Sequence, residues 1–240
     1  MEISLKFVLE NKIFPLDYRK TFISFFKESL SVFGTGKWGK KLYVDNNRKP
    51  FTFAINLPNP KFSKECITLE KPEIELTFST SDNYLGYIFM CAFEVKVNKP
   101  FPIAFGNKLI LKRVLVSRSK HITGEKAIVK MWSPLCLREH NKERNEDIYY
   151  SVASENFGIK SKEIIKEQLI SDGFPENLAS NIEITPIHCK KTVVLHYGTY
   201  IECSLGVFEI NADNTTLNHL LQNGIGSRKS AGFGFPKLIY

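Results

Sequence analysis

Two apolar helical stripes, each bracketed by alternating segments, do most to limit what this chain can fold into. Residues 2–9 (Glu-Ile-Ser-Leu-Lys-Phe-Val-Leu) alternate with the period of a half-buried strand. From Asp17 to Leu30, the side chains Tyr18, Phe22, Phe25, Phe26 and Leu30 fall on one helical face, with Asp17 placed as the N-cap. Strand-like stretches follow at Phe51–Leu57 and at residues 73–79. A second helical run covers 82–96, with Tyr84, Ile88, Phe89 and Phe93 as its packing stripe, and Lys108–Val116 returns to strand. The order β-α-β-β-α-β is that of a ferredoxin-like domain, so the chain reads as α+β.

The polar stretch 117–126 makes the natural boundary, giving domains 1–120 and 121–240. The second half reads as strand 127–137, a charged linker Arg138–Asp147, and helix 160–171. Strands near 182–188, 191–197 and 199–210 follow, then a short helix Thr215–Gln222 capped through Asn214, a Gly-rich loop and a last strand. The halves share no visible sequence identity, so the repeat is one of architecture.

With 240 residues, 43% of them hydrophobic, the chain can bury a proper core. No run approaches the ~18 consecutive apolar residues that span a bilayer, so no membrane partner is expected. The opening MEISLKFVLE alternates like a strand and lacks the order of a signal peptide, so a cytoplasmic protein is expected. Five scattered cysteines, none in a C-x-x-C pair, read as reduced thiols. His188, Cys189, His196 and Cys203 lie on apparent strands without ligand spacing, and no metal or other cofactor is expected. The formal net charge of +8 favours a polyanionic partner. The basic residues cluster at Lys37, Lys40, Lys41, Arg48 and Lys49, at Lys108–Lys120, and at Arg228 and Lys229.

The last eighteen residues read NGIGSRKSAGFGFPKLIY. Gly224, Gly226, Gly232 and Gly234 bracket Ser227-Arg228-Lys229-Ser230, and Phe233 and Phe235 alternate with the last glycines. Such a loop is expected to present backbone amides, hydroxyls and two cations to phosphate oxygens.

This loop resembles the C-terminal signature of the CRISPR repeat-RNA endoribonucleases, the sixth numbered family of CRISPR-associated proteins, within the repeat-associated RNA-binding superfamily. The motif G-x-G-x(4–6)-S-x-G-F-G is matched by Gly224, Gly226, Ser230, Gly232, Phe233 and Gly234. The stretch Lys49-Pro50-Phe51-Thr52-Phe53 is similar to the family's K-x-F-T entry into a strand, and Ser133-Pro134-Leu135 to its S-P-[IL] element. The resemblance implies tandem ferredoxin-like domains and metal-independent cleavage of CRISPR repeat RNA within a precursor transcript. In that reaction a ribose 2′-OH attacks the adjacent phosphate, leaving 2′,3′-cyclic phosphate and 5′-OH ends. It also implies subunits of a CRISPR effector complex as partners. Lys40, Lys41, Gly224, Gly226, Ser227, Arg228, Lys229, Ser230, Gly232 and Gly234 are the expected RNA-binding residues.

Many members of the family place a histidine about six residues ahead of K-x-F-T. Here that position falls at Tyr43, and no histidine precedes His121. The candidate catalytic residues are therefore Lys27, Tyr43 and Lys49. A lysine would stabilise phosphorane charge and a tyrosine would hydrogen-bond the 2′-OH. Two alternatives stay open: His121 or His140 reaches the site, or the chain binds repeat RNA without cutting it.

Overall fold

A computed structural model describes the chain apart from residues 44–47 and 142 and the side chains of Thr35, Lys40 and Lys41. It divides into two compact units. The first comprises Met1–Lys49, Ile55–Arg118 and Leu195–Thr199; the second comprises Pro50–Ala54, Ser119–Val194 and Tyr200–Tyr240.

As far as Ser117 the chain runs β1 (Glu2–Leu9), β2 (Ile13–Pro15), α1 (Tyr18–Val32), α2 (Lys37–Tyr43), β3 (Thr52–Asn56, whose first three residues count with the second unit), β4 (Lys61–Phe62), β5 (Cys66–Thr68), β6 (Glu73–Ser79), α3 (Asn83–Glu94), β7 (Pro100–Pro102) and β8 (Lys108–Ser117). Its main sheet has the order β3-β6-β1-β8-β7, with β1 antiparallel to both β6 and β8. The four longer strands thus lie in the ferredoxin-like order. Ile3, Leu5, Phe7 and Leu9 of β1 alternate into the core, where Phe22, Phe25 and Phe26 of α1 and Phe89 and Phe93 of α3 are also buried. Phe7 meets Phe25 edge-on at 5.3 Å between centroids, and Phe78 lies 4.6 Å from Phe89. Each such pair adds about 0.5–1.5 kcal/mol beyond its buried area.

Two local readings need correction. Tyr84 is exposed, and Leu85 and Ala92 complete the buried stripe of α3 instead, because the helix starts at Asn83, capped by Asp82 on the Leu85 N–H at 3.0 Å. Asp17 stands at the N-cap position of α1 but makes no side-chain cap bond. The basic cluster that opens at Lys37 starts as a helix, α2.

The second unit runs β9 (Lys126–Met131), β10 (Leu137–Asn141), β11 (Glu146–Tyr150), α4 (Phe157–Ser171), α5 (Glu176–Ser180), β12 (Glu183–His196), β13 (Thr199–Asn211), α6 (Asn214–Asn223) and β14 (Pro236–Leu238). Its four-stranded sheet has the order β12-β13-β9-β14, again ferredoxin-like. Val129, Met131, Phe208 and Ile210 of the sheet share a core with Ile165 and Leu169 of α4 and Leu217 and Leu220 of α6. The expected linker Arg138–Asp147 is instead the β10–β11 hairpin, and the strands expected near 182–188 and 191–197 are one. Asp213, not Asn214, caps α6, accepting the N–H groups of Thr215 and Thr216 at 3.0 Å. Among the described residues, no helix is long and apolar enough to cross a membrane.

Candidate functional site

In the first unit, α1 turns Phe25 and Phe26 into the core and leaves the intervening face, with Lys27, toward solvent. Tyr43 is the last residue of α2. The Lys27 Nζ lies 5.1 Å from the centroid of the Tyr43 ring, and the Lys49 Nζ lies 5.5 Å from it. Two ammonium groups thus converge on one aromatic ring, each within cation–π range. The Tyr43 hydroxyl is buried and, among the described residues, has no hydrogen-bond partner. Burial, and secondarily the nearby Tyr197, push its ionisation well above the ordinary phenol range. The hydroxyl therefore stays protonated, able to donate or accept a hydrogen bond but unsuited to act as an ionised base.

Residues 195–199, the tip of the β12–β13 hairpin, belong to this same unit. Tyr197 and Gly198 both have positive φ (50° and 79°), the backbone of a two-residue type I′ turn. The Tyr197 N–H donates to Asp17 Oδ2 at 2.9 Å, which explains why Asp17 does not cap its own helix. His196 is 3% exposed, with its Nδ1 3.9 Å from Asp17 Oδ1 and its ring edge-on to Tyr197 at 4.6 Å. The Lys20 Nζ lies 5.7 Å from the Tyr197 ring centroid. Asp17, Lys20, His196 and Tyr197 were not among the expected site residues. The Tyr-Gly pair between two strands marks a turn in the sequence, but nothing local shows what the turn touches.

His121 and His140 both belong to the second unit. His140 is engaged there, its Nδ1 2.8 Å from Asp147 Oδ1 across β10–β11. Among the described residues, no three His, Cys, Asp or Glu side chains are grouped to hold a metal ion, and His188, Cys189, His196 and Cys203 form no such group.

The Gly-rich loop folds into the second unit rather than standing off it. Gly226 N–H donates to Gln168 Oε1 at 2.7 Å and Ser227 N–H to the Cys136 carbonyl at 2.7 Å. The Ile225 N–H donates to the Gly234 carbonyl at 2.8 Å, and the Thr52 hydroxyl donates to the Phe233 carbonyl at 2.9 Å. At Gly234 (φ 67°) a Cβ would stand 1.9 Å from the Ile225 carbonyl oxygen, and at Gly232 (φ 85°) 2.7 Å from the Phe53 ring. Gly224 and Gly226 are buried as well. The expectation that these amides lie open to a ligand is therefore corrected: close packing and internal hydrogen bonds use them.

The two cations of the loop are also engaged. Lys229 is 5% exposed and its Nζ lies 3.1 Å from Asp172 Oδ2, which also meets His219 Nε2 at 2.9 Å. Burial pushes the Asp172 carboxyl up, but the His219 hydrogen bond and the Lys229 charge outweigh it and hold it at about 2. Lys229 is thus a buried ion-pair partner and not the open cation expected. Arg228 remains partly exposed, donating from Nη2 to Asp147 Oδ2 at 3.0 Å and to the Tyr149 hydroxyl at 2.7 Å. Arg138 makes two further bonds to Asp147 at 3.1 Å. Burial raises Asp147 while the bonds from His140 and Arg138 lower it, to about 2. One carboxylate facing two guanidinium groups leaves a local excess of positive charge, with Ser227 and Ser230 half-buried in the same loop. Lys40 and Lys41 lie on α2, and their side chains are outside the described residues.

Residues 117–238 match the family model described as CRISPR associated protein Cas6, C-terminal. No curated protein sequence matches the chain. Among solved structures, one described as characterization of a Cas6-related gene from Pyrococcus furiosus superposes with a TM-score of 0.84 at 21% identity, covering 100% of this chain and 98% of that one. A RAMP protein described as binding different RNA substrates gives 0.81 at 21% identity, with 100% of both chains covered. A Cas6 product complex gives 0.73 at 18% identity over 99% of each. These likenesses bear out the tandem ferredoxin-like fold. As the family model spans just over half of the sequence, the chain belongs to the Cas6 family of CRISPR-associated proteins.

Proposed function

We propose that this protein binds CRISPR repeat RNA and cleaves it without a metal, with Lys27, Tyr43 and Lys49 as the catalytic residues. The observation that carries the reading is the convergence of the Lys27 and Lys49 ammonium groups on the Tyr43 ring. The 2′-oxygen forms a bond to the adjacent phosphorus as its proton is released, and the bond from phosphorus to the 5′-oxygen breaks as that oxygen gains a proton. Negative charge gathers on the non-bridging oxygens in between. Two cations meet that charge, and the protonated Tyr43, its ring against both ammonium groups, holds them in place. Arg228 and the loop hydroxyls Ser227 and Ser230 contact phosphates, with Lys40 and Lys41 as further candidates, while Lys229 and the four glycines hold the loop in shape.

Family membership and the Cas6 product complex among the structural relatives support cleavage. A second reading, repeat-RNA binding without cleavage, is favoured by the tyrosine at the usual histidine position and by the similarity to a RAMP protein described as binding RNA. Repeat RNA incubated in EDTA, beside a copy with one 2′-deoxy at the cut, separates the two. Cleavage of the first copy only, leaving a cyclic phosphate, supports the nuclease. Tight binding with both copies intact supports the binding protein.

A further inference from the structure

Tyr197 breaks a local rule. Type I′ turns take Asn or Gly at the first central position, because φ is positive there. A bulky aromatic residue at φ 50° carries backbone strain that a native structure keeps only when its surroundings hold it. Here they do. Asp17 clamps the Tyr197 N–H at 2.9 Å, and the buried His196 sets its ring edge against the Tyr197 ring at 4.6 Å. Even so, about half of the tyrosine stays open to solvent, at 53% exposure.

The surroundings of that ring point to a ligand class. Lys20 stands 5.7 Å from its centroid, and Lys27 and Lys49 stand about as far from the ring of Tyr43. Tyr197 and Tyr43 belong to the same compact unit. Aromatic faces interleaved with cations are how proteins hold single-stranded nucleic acid, with bases on the rings and phosphates on the cations.

We propose that Tyr197 stacks on an unpaired nucleobase next to the scissile linkage, with Lys20 meeting the phosphate of the same nucleotide. His196 and Asp17 are positioning residues that fix the plane of the ring. The proposal rests on the assignment of Lys27, Tyr43 and Lys49 as the cleavage site. It makes the hairpin tip the element that selects which nucleotide is presented there.

The test uses the full chain and its repeat RNA, made uncleavable by a 2′-deoxy at the cut and carrying 2-aminopurine at each flanking position in turn. The wild-type protein is expected to quench one position. Tyr197→Ala should abolish that quenching and slow single-turnover cleavage of unmodified RNA about tenfold, while Tyr197→Phe keeps both. Tyr197→Asn should relieve the backbone strain, raising Tm, yet behave toward RNA like the alanine variant. A residue with a merely structural role would not give that opposition. Quenching at no position, or quenching and cleavage unchanged in Tyr197→Ala, would overturn the proposal. Because the stacking signal is read on uncleavable RNA, it stands apart from a failure of the wild-type protein to cleave.

Discussion

Asp17 accepts the main-chain N–H of Tyr197 at 2.9 Å and so ties the start of α1 to a turn 180 positions further along the chain. A carboxylate placed to cap its own helix instead fixes a hairpin tip. Its other oxygen is buried 3.9 Å from His196 Nδ1. Asp17→Ala should therefore release the tip without melting α1. We expect a loss of about 1.5–3 kcal/mol, the range for a hydrogen bond to a charged group, measured by urea unfolding. Amide exchange should quicken at residues 195–199 more than within α1. Uniform quickening along α1 would mean that the carboxylate serves the helix after all.

The cations beside Tyr43 lead to a second prediction. Lys27→Ala and Lys49→Ala should each lower single-turnover cleavage about 10²-fold, the effect of removing one donor from developing phosphorane charge. Tyr43→Phe, which keeps the ring and loses the hydroxyl, separates hydrogen bonding from packing. Repeat-RNA affinity should move far less than rate in all three. An equal loss in rate and affinity would make these residues binding contacts only.

How much of this was legible in the sequence depended on whether a signal was local and apolar. Ile3, Leu5 and Phe7, or Phe22, Phe25 and Phe26, announce their elements because burial imposes the period. The β10–β11 hairpin was hidden because Arg138, His140 and Asp147 are charged, and a charged strand reads as a linker until its cross-strand ion pairs are seen. The helix α2 was masked by Gly36, Gly39 and its lysines. Ser227-Arg228-Lys229-Ser230 read as an open tip because Asp147 and Asp172, which receive the two cations, lie 81 and 57 positions away. Lys27, Tyr43 and Lys49 were reachable through the family pattern, whereas Tyr197 and His196 join the same unit by a contact that no spacing rule encodes.

Acid should expose the Asp172 ion pair. With its carboxyl held at about 2 against 3.8 when free, the folded state is stabilised above the unfolded value, and that stability is lost as pH falls from about 4 toward 2. The contribution is on the order of 2 kcal/mol for a shift of this size. Asp172→Asn should lower stability at neutral pH and flatten the decline between pH 4 and 2, as followed by urea midpoints. A decline of unchanged steepness would place the acid sensitivity elsewhere.

Glycines in the C-terminal loop should behave as packing residues. Gly234→Ala forces a Cβ to within 1.9 Å of the Ile225 carbonyl at positive φ, and Gly232→Ala presses on the Phe53 ring. We expect a loss of about 1–3 kcal/mol or more from the backbone strain alone, with Gly234→Ala the worse because a carbonyl cannot step aside as a side chain can. At temperatures where the variants remain folded, their RNA affinity should match that of the wild-type protein.

The two cations of that loop should part company on RNA. Arg228, partly exposed beside Arg138, is placed to neutralise a phosphate, so Arg228→Ala should weaken repeat-RNA binding and reduce the slope of log K against log salt by about one. Lys229, sealed against Asp172, has no such contact to lose. Lys229→Met should destabilise the protein by leaving Asp172 short of a partner, yet keep the wild-type salt slope wherever the variant is folded. Equal reductions in slope for both variants would mean that Lys229 leaves its ion pair to meet the RNA, and the loop would then have to open on binding.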